Sequence, residues 1–364
     1  MKLTKLYIHN YKSFYDTTIE LDKLNIVVGE NNSGKSNLID VLEFIDIFLK
    51  EDYHNQAIIK KGSFDKILNY NNDVNTIFIE FELDNKTFFK KTRITLKRDL
   101  ILYSTIIYNS KKEIYQISSY RTNLAIDKHT NKYYLNEKKQ HDLRSFDFMQ
   151  LIPVSNISMS YAFNTETIKN KSHRQGEKEL KKDGSNLGQN LLYIKNNYPD
   201  SFNLISNSMI GVVNEIKGIE VQETFGNALI GFKERNKEIG IDMVSDGTIN
   251  LLATITALNQ GKDKSIILAF DEPERYLHMK AVHYLMDSFR SSKKQILITT
   301  HSTEILKYAD LNEVIFIYRD SDGDTQSIRG DEIPNLKEKM EHITYERSMT
   351  LDEMLDEDMV WDFE

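Results

Sequence analysis

The residues best suited to chemistry stand at Gly29-Glu30-Asn31-Asn32-Ser33-Gly34-Lys35-Ser36, a complete G-x-x-x-x-G-K-S loop. In such a loop the glycines let backbone N–H groups come close to phosphate oxygens, and a helix starting there turns its positive dipole end on the same anion. Lys35 would reach the β- and γ-phosphates of a nucleotide, and the Ser36 hydroxyl would ligate Mg2+. A second set, Asp271-Glu272-Pro273-Glu274, closes the apolar run 265–270. Asp271 would hold the Mg2+ shell, and Glu272 would orient or deprotonate an attacking water. Two acids capping the following helix are the alternative. His301 ends a further apolar run, 295–300. A histidine there is either satisfied in a core or placed on the edge where parallel sheets bind ligands.

Each set needs an element to carry it. The apolar run 24–28 reads as a strand that feeds the loop, and Asn37 opens a helical pattern that reaches residue 49. The continuous apolar run before Asp271 suits a strand covered on both faces, as in a parallel sheet. About twenty residues earlier, Ser245-Asp246-Gly247 is a small polar turn that opens an apolar helix, which read alone is an ordinary N-cap. At the N-terminus, residues 3–9 and 17–21 alternate as strands. Runs 76–83, 88–96, 100–108 and 113–118, separated by short turn-like breaks, predict an antiparallel meander. Helices are predicted over 188–196 and 202–213, and no sustained heptad repeat supports long coiled-coil arms.

The chain has 364 residues, 40% of them apolar, enough for one large or two ordinary domains. It has no cysteine, which excludes disulfides and thiolate metal sites and favours a reducing compartment. Neither an apolar signal core nor a run approaching the roughly 20 apolar residues of a membrane span is present, so a cytoplasmic protein with no membrane partner is expected. The net charge of −8 is uneven: residues 331–364 carry 12 acidic and 3 basic side chains, and the first 330 residues are close to neutral. That acidic stretch holds the only Trp, at 361, and reads either as a solubilising end or as a docking peptide. Lys169, Lys171, His173, Arg174, Lys178, Lys181 and Lys182 cluster in one polar span, either a solvated face or a surface for a nucleic-acid backbone.

The order of phosphate loop, Ser245-Asp246-Gly247, Asp271-Glu272-Pro273-Glu274 and Thr300-His301-Ser302 resembles the ABC-type ATPase heads of the SMC, RecN, RecF and OLD class. Ile8-His9-Asn10-Tyr11-Lys12-Ser13-Phe14 and Asp183-Gly184-Ser185-Asn186-Leu187 look like the same class. The resemblance implies an α/β fold: a P-loop head with a mainly parallel core sheet, an antiparallel β lobe (with the loop, residues 1–119), an inserted and mainly helical lobe (120–239), the rest of the head (240–330) and an acidic tail (331–364). It also implies a homodimer that sandwiches two ATP molecules. Asn31, Asn32, Ser33, Gly34, Lys35, Ser36 and Asn37 of one protomer would bind nucleotide, with Lys12 and Ser13 nearby, and Ser245, Asp246 and Gly247 would face it from the other. Glu272 and His301 would be catalytic, His301 as the switch residue at the γ-phosphate. Gln150, the best match to the family's Q-loop glutamine, would join Ser36 and Asp271 at Mg2+.

Departures from the family pattern are visible as well. Met279 follows Leu277-His278 where the family commonly has Pro, and residues 244–249 lack the Gly-Gly-Gln form of transporters. The C-terminal stretch is too short for the Toprim nuclease region of OLD-class nucleases. The expectation is a slow, regulated ATPase resembling the stand-alone subunits of anti-phage systems such as Septu and PARIS, a sensor and scaffold for a separately encoded effector that is expected to be a nuclease. A RecF-like DNA-repair ATPase that binds duplex through the basic cluster is the rival.

Overall fold

The computed structural model describes residues 1–50, 55–69, 71, 75–84, 88–98, 100–109, 114–126, 133–136, 156–170, 178–261, 265–334 and 336. The chain opens with β1 (Lys2–Tyr11), β2 (Phe14–Glu20), β3 (Leu24–Val28), α1 (Lys35–Lys50), α2 (Asn55–Lys60) and α3 (Phe64–Ile67). Strands β4 (Thr76–Asp84), β5 (Phe88–Lys97), β6 (Leu100–Asn109), β7 (Ile114–Ile126), β8 (Tyr133–Asn136) and β9 (Ser158–Tyr161) follow. Next come α4 (Thr165–Lys169), α5 (Leu187–Asn197), α6 (Pro199–Val212), β10 (Ile216–Thr224), β11 (Asn227–Glu234), β12 (Lys237–Gly240) and α7 (Asp246–Asn259). The last elements are β13 (Ile267–Asp271), α8 (Met279–Ser291), β14 (Gln295–Thr300), α9 (Thr303–Leu306), β15 (Val314–Arg319) and β16 (Thr325–Arg329). They divide into two units. The first holds residues 1–22, 29–158 and 316–328, and the second holds 23–28, 159–315 and 329–364.

In the first unit an antiparallel sheet runs β2-β1-β4-β5-β6-β7-β8, and β4 to β7 form the meander that the alternating runs predicted. Register sets Leu6 opposite Phe81, Ile8 opposite Ile79, and Ile79 opposite Ile94, so these buried side chains share one face. Helix α1 buries Leu38, Val41, Leu42, Ile45 and Phe48 at helical spacing, and its Phe44 ring meets the ring of Tyr11 on β1 at 5.7 Å. Each such large apolar side chain contributes at most about 1.5–3 kcal/mol by leaving water.

In the second unit β3, β14 and β13 are parallel neighbours, with Val28 opposite Thr300 and Thr299 opposite Asp271. All of β3 and β14 is buried, which is why both faces of these strands are apolar. Phe270 on β13 lies between Tyr161 and Phe289, each ring 5.3 Å away. The sheet therefore brings the ends of three strands to one edge: Val28 before the loop, Asp271 before Glu272, and Thr300 before His301.

The middle segment, expected to be mainly helical, also carries sheet. β10, β11 and β12 form a three-stranded antiparallel sheet, with a two-residue turn at Phe225 and Gly226, where φ is 49° and 76°. Ile219 and Val221 on β10 and Ala228, Ile230 and Phe232 on β11 are buried at a period of two, with Ile216 one residue out of step across an irregularity in the ladder, and this pattern outweighed the helical reading of the middle segment. Of the acidic stretch, residues 331–334 and 336 are described, and Trp361 lies outside the described residues. Among the described residues no helix is long and apolar enough to cross a membrane.

Candidate functional site

The candidate residues fall into two groups, one in each unit. In the first unit the loop leaves β3 at Gly29 and ends in the first turn of α1. Lys35 is only 6% exposed, and its ammonium donates to the carbonyls of Gly29 at 2.6 Å and Glu30 at 2.7 Å. The Ser33 N–H donates to Glu30 O at 3.2 Å. Two positions require glycine: a Cβ on Gly29 would stand 2.1 Å from Ile317 O, and one on Gly34, at φ 121°, would stand 2.5 Å from Thr325 Oγ1. Asn32 takes φ 69°, a left-handed value that Asn tolerates better than most residues. The Ser33 hydroxyl is buried without a hydrogen-bond partner. A curved loop, a lysine resting on two carbonyls, an orphaned hydroxyl and the start of a 16-residue helix together fit a phosphate chain.

Asn31, Asn32 and Ser36 are exposed. Asn37 donates from Nδ2 to Ser13 Oγ at 2.8 Å, so these two predicted positions meet. Lys12, at φ 48°, is ion-paired with Asp40 at 2.6 Å. Lys61 pairs with the same carboxylate at 2.5 Å, and the Tyr11 hydroxyl donates to it at 2.7 Å. Burial works to raise the Asp40 carboxyl, but these partners hold it below its ordinary range.

In the second unit Asp271 accepts a hydrogen bond at Oδ1 from the Thr299 hydroxyl at 2.5 Å. Glu272 turns out of the strand at φ 48°, and its Oε1 lies 3.7 Å from Nε2 of His301. Glu274 went without a role in the sequence reading. It is 8% exposed, accepts from the Thr300 hydroxyl at 2.5 Å, and its Oε2 is buried without a partner. Burial, and then the charges of Glu272 and Asp271, push its carboxyl up to about 7 against the pull of Thr300. Gln150 lies outside the described residues.

Ser245 caps α7 by accepting the Thr248 N–H at 3.2 Å. A Cβ on Gly247 would meet Tyr276 O at 2.3 Å, so this glycine allows the helix to approach the loop after β13. Asn250, one turn along, donates to the carbonyls of Pro273 at 3.0 Å and Arg275 at 2.8 Å. Lys169 reaches Asp246 Oδ1 at 2.6 Å and, with the Thr165 hydroxyl, holds that carboxyl below its ordinary range. Of the basic cluster, Lys178, Lys181 and Lys182 are exposed; Lys171, His173 and Arg174 lie outside the described residues.

A family model described as "AAA domain, putative AbiEii toxin, Type IV TA system" matches residues 24–307. An ATP/GTP phosphatase of Helicobacter pylori is 22% identical over 339 residues, covering 83% of this chain and 86% of that protein. Among solved structures, the Smc head bound to the C-winged helix domain of ScpA superposes with a TM-score of 0.54 at 18% identity, over 90% of this chain and 98% of that one. The SMC head domain from Thermotoga maritima gives 0.46 at 14% identity, over 90% and 99%. The first of these likenesses carries the fold, an α/β head with a mainly parallel sheet and an antiparallel sheet.

Proposed function

Starting from a chain that belongs to the family of AAA domains described as a putative AbiEii toxin of a type IV toxin–antitoxin system, we propose that it binds and hydrolyses ATP and changes its assembly state as it does so. The observation that carries this reading is the glycine-built loop with Lys35 resting on its own carbonyls. Phosphate oxygens are stronger, charged acceptors for that ammonium and for the N–H groups of the first turn of α1.

Ser36 at the start of α1 and Asp271 at the end of β13 are each suited to ligate Mg2+, whose charge would offset that of the phosphates. Each donor suits a hard cation: Ser36 offers an exposed hydroxyl, and Asp271 offers a carboxylate that Thr299 holds at Oδ1. Glu272 orients the attacking water, and His301, within 3.7 Å of it, senses the γ-phosphate. Ser245, Asp246 and Gly247 receive nucleotide from a second copy when two heads close on ATP.

The wider role is a sensor and scaffold in a bacterial anti-phage complex with a separately encoded effector. The family description, which names a toxin–antitoxin system, supports a partnered role of this kind. Size by light scattering tests the assembly: Glu272→Gln should grow from monomer to dimer on adding Mg-ATP. An unchanged size in both conditions would end the sandwich. The DNA-repair reading rests on exposed Lys178, Lys181 and Lys182, and strong stimulation of turnover by duplex DNA would favour it.

A further inference from the structure

The family match stops at residue 307, yet the phosphate loop is held by residues beyond it. Thr325, fully buried at the start of β16, donates from its hydroxyl to Ser33 O at 2.7 Å. Arg319, at the end of β15, donates from Nε to Asn32 O at 3.0 Å. We propose that the β15–β16 hairpin is a working part of the phosphate site, with Thr325 and Arg319 as positioning residues that hold the loop in its phosphate-receiving form. This rests on the reading of that loop as a nucleotide site.

The argument is one of peptide geometry. No peptide bond among the described residues is cis, and in a planar trans peptide the carbonyl and the N–H point to opposite sides. Pulling Ser33 O toward Thr325 therefore turns the Gly34 N–H the other way, and pulling Asn32 O toward Arg319 does the same for the Ser33 N–H. The Ser33 N–H does lie on that inner side, reaching Glu30 O. Arg319 also supports Asn32 in its left-handed conformation, which costs any residue with a Cβ.

The anchors are themselves fixed. The Thr325 N–H donates to Ser13 O at 2.8 Å, and its carbonyl accepts from the Thr17 hydroxyl at 2.5 Å. Arg319 also donates to Gly323 O at 2.6 Å, which closes the turn between the two strands. Inside that turn Asp320 accepts from the N–H of Asp324 at 2.8 Å and from Gln326 at 2.9 Å, and Asp324 accepts from Asn69 at 2.9 Å. These bonds belong to a hairpin that bears on the loop, and none of them calls on a nucleotide to form.

The test is titration of the full chain with a fluorescent ATP analogue, together with steady-state turnover. Thr325→Val keeps the shape and removes the donor, leaving Ser33 O buried and unpaired, and should weaken nucleotide binding and raise KM about tenfold with kcat within about twofold. Thr325→Ser should restore both. A fold defect would instead lower the number of active sites and leave KM alone. Arg319→Met should weaken binding by about threefold, and Arg319→Lys, which keeps a donor for the Asn32 carbonyl, should lose less. If Thr325→Val fails to fold, the two Arg319 variants still decide. Wild-type affinity in Thr325→Val, or in Arg319→Met, would overturn the inference. If Lys35→Ala binds as well as wild type, the loop is not a phosphate site, and that outcome fails the parent reading instead.

Discussion

The loop and the acidic edge are built on opposite plans. At the loop, the groups that would meet phosphate are backbone N–H groups and a lysine 6% exposed, fixed by glycine contacts and by hydrogen bonds to carbonyls. At the acidic edge the groups are side chains: Glu272 and His301 are both more than a third exposed, and they approach each other only to 3.7 Å. A site made of backbone is set when the chain folds. A site made of half-exposed side chains can change its geometry without disturbing the core, and its residues can be replaced without unfolding the protein.

That contrast can be broken in four places. Lys35→Ala should remove ATP binding to the limit of detection in calorimetry, since the loop keeps no other buried cation aimed at its acceptors. Measurable affinity within tenfold of wild type would show that backbone alone suffices. Glu272→Gln should leave binding intact while turnover falls on the order of a hundred- to ten-thousandfold, the usual worth of a positioned base. A parallel loss of binding would mean that the edge is as preorganised as the loop.

Glu274 sharpens the comparison, because it is the one acid of the edge that is buried. A carboxyl raised to about 7 in the folded state is favoured as the neutral form. It costs nothing below the unfolded value near 4.5, destabilises increasingly as pH rises from there to about 7, and holds a constant penalty above. Glu274→Gln, which can still accept from Thr300, should therefore match wild type near pH 4.5. At pH 8 it should be more stable by on the order of 3 kcal/mol in denaturant titrations. Parallel stability profiles for the two proteins would refute that account. The smallest effect is expected for Lys169→Met, which frees Asp246 from a partly exposed ion pair worth well under 1 kcal/mol. Turnover should change by no more than about twofold, and a larger change would give the turn before α7 a tighter role than its exposure suggests.

The loop was legible in the sequence because all of its chemistry lies within eight consecutive residues between a strand and a helix. The strands ending at Asp271 and His301 were legible because a strand covered on both faces must be apolar throughout. Their meeting at one edge follows from parallel register, which brings Thr299 beside Asp271. Thr325 and Arg319 were illegible: they act on the loop across 292 and 287 residues, and neither sits in a pattern that suggests phosphate. Lys12 matched a family position, and its pairing with Asp40 on the next helix could not be read from spacing. The sheet from β10 to β12 was missed because the ladder irregularity between Ile216 and Gly218 breaks the period of two at its start, and because β12 is only four residues long. Glu274 has no role that spacing assigns, and its burial could not be read from the sequence.

Asn250 links two parts of the second unit. One amide group clasps two carbonyls of the segment that follows Glu272, and it rides on the helix that Ser245 begins. The turn that would register an arriving partner and the segment that would fire hydrolysis are thus geared together. On the proposed function, a displacement of α7 by a second copy would reach the segment after Glu272 through this one amide.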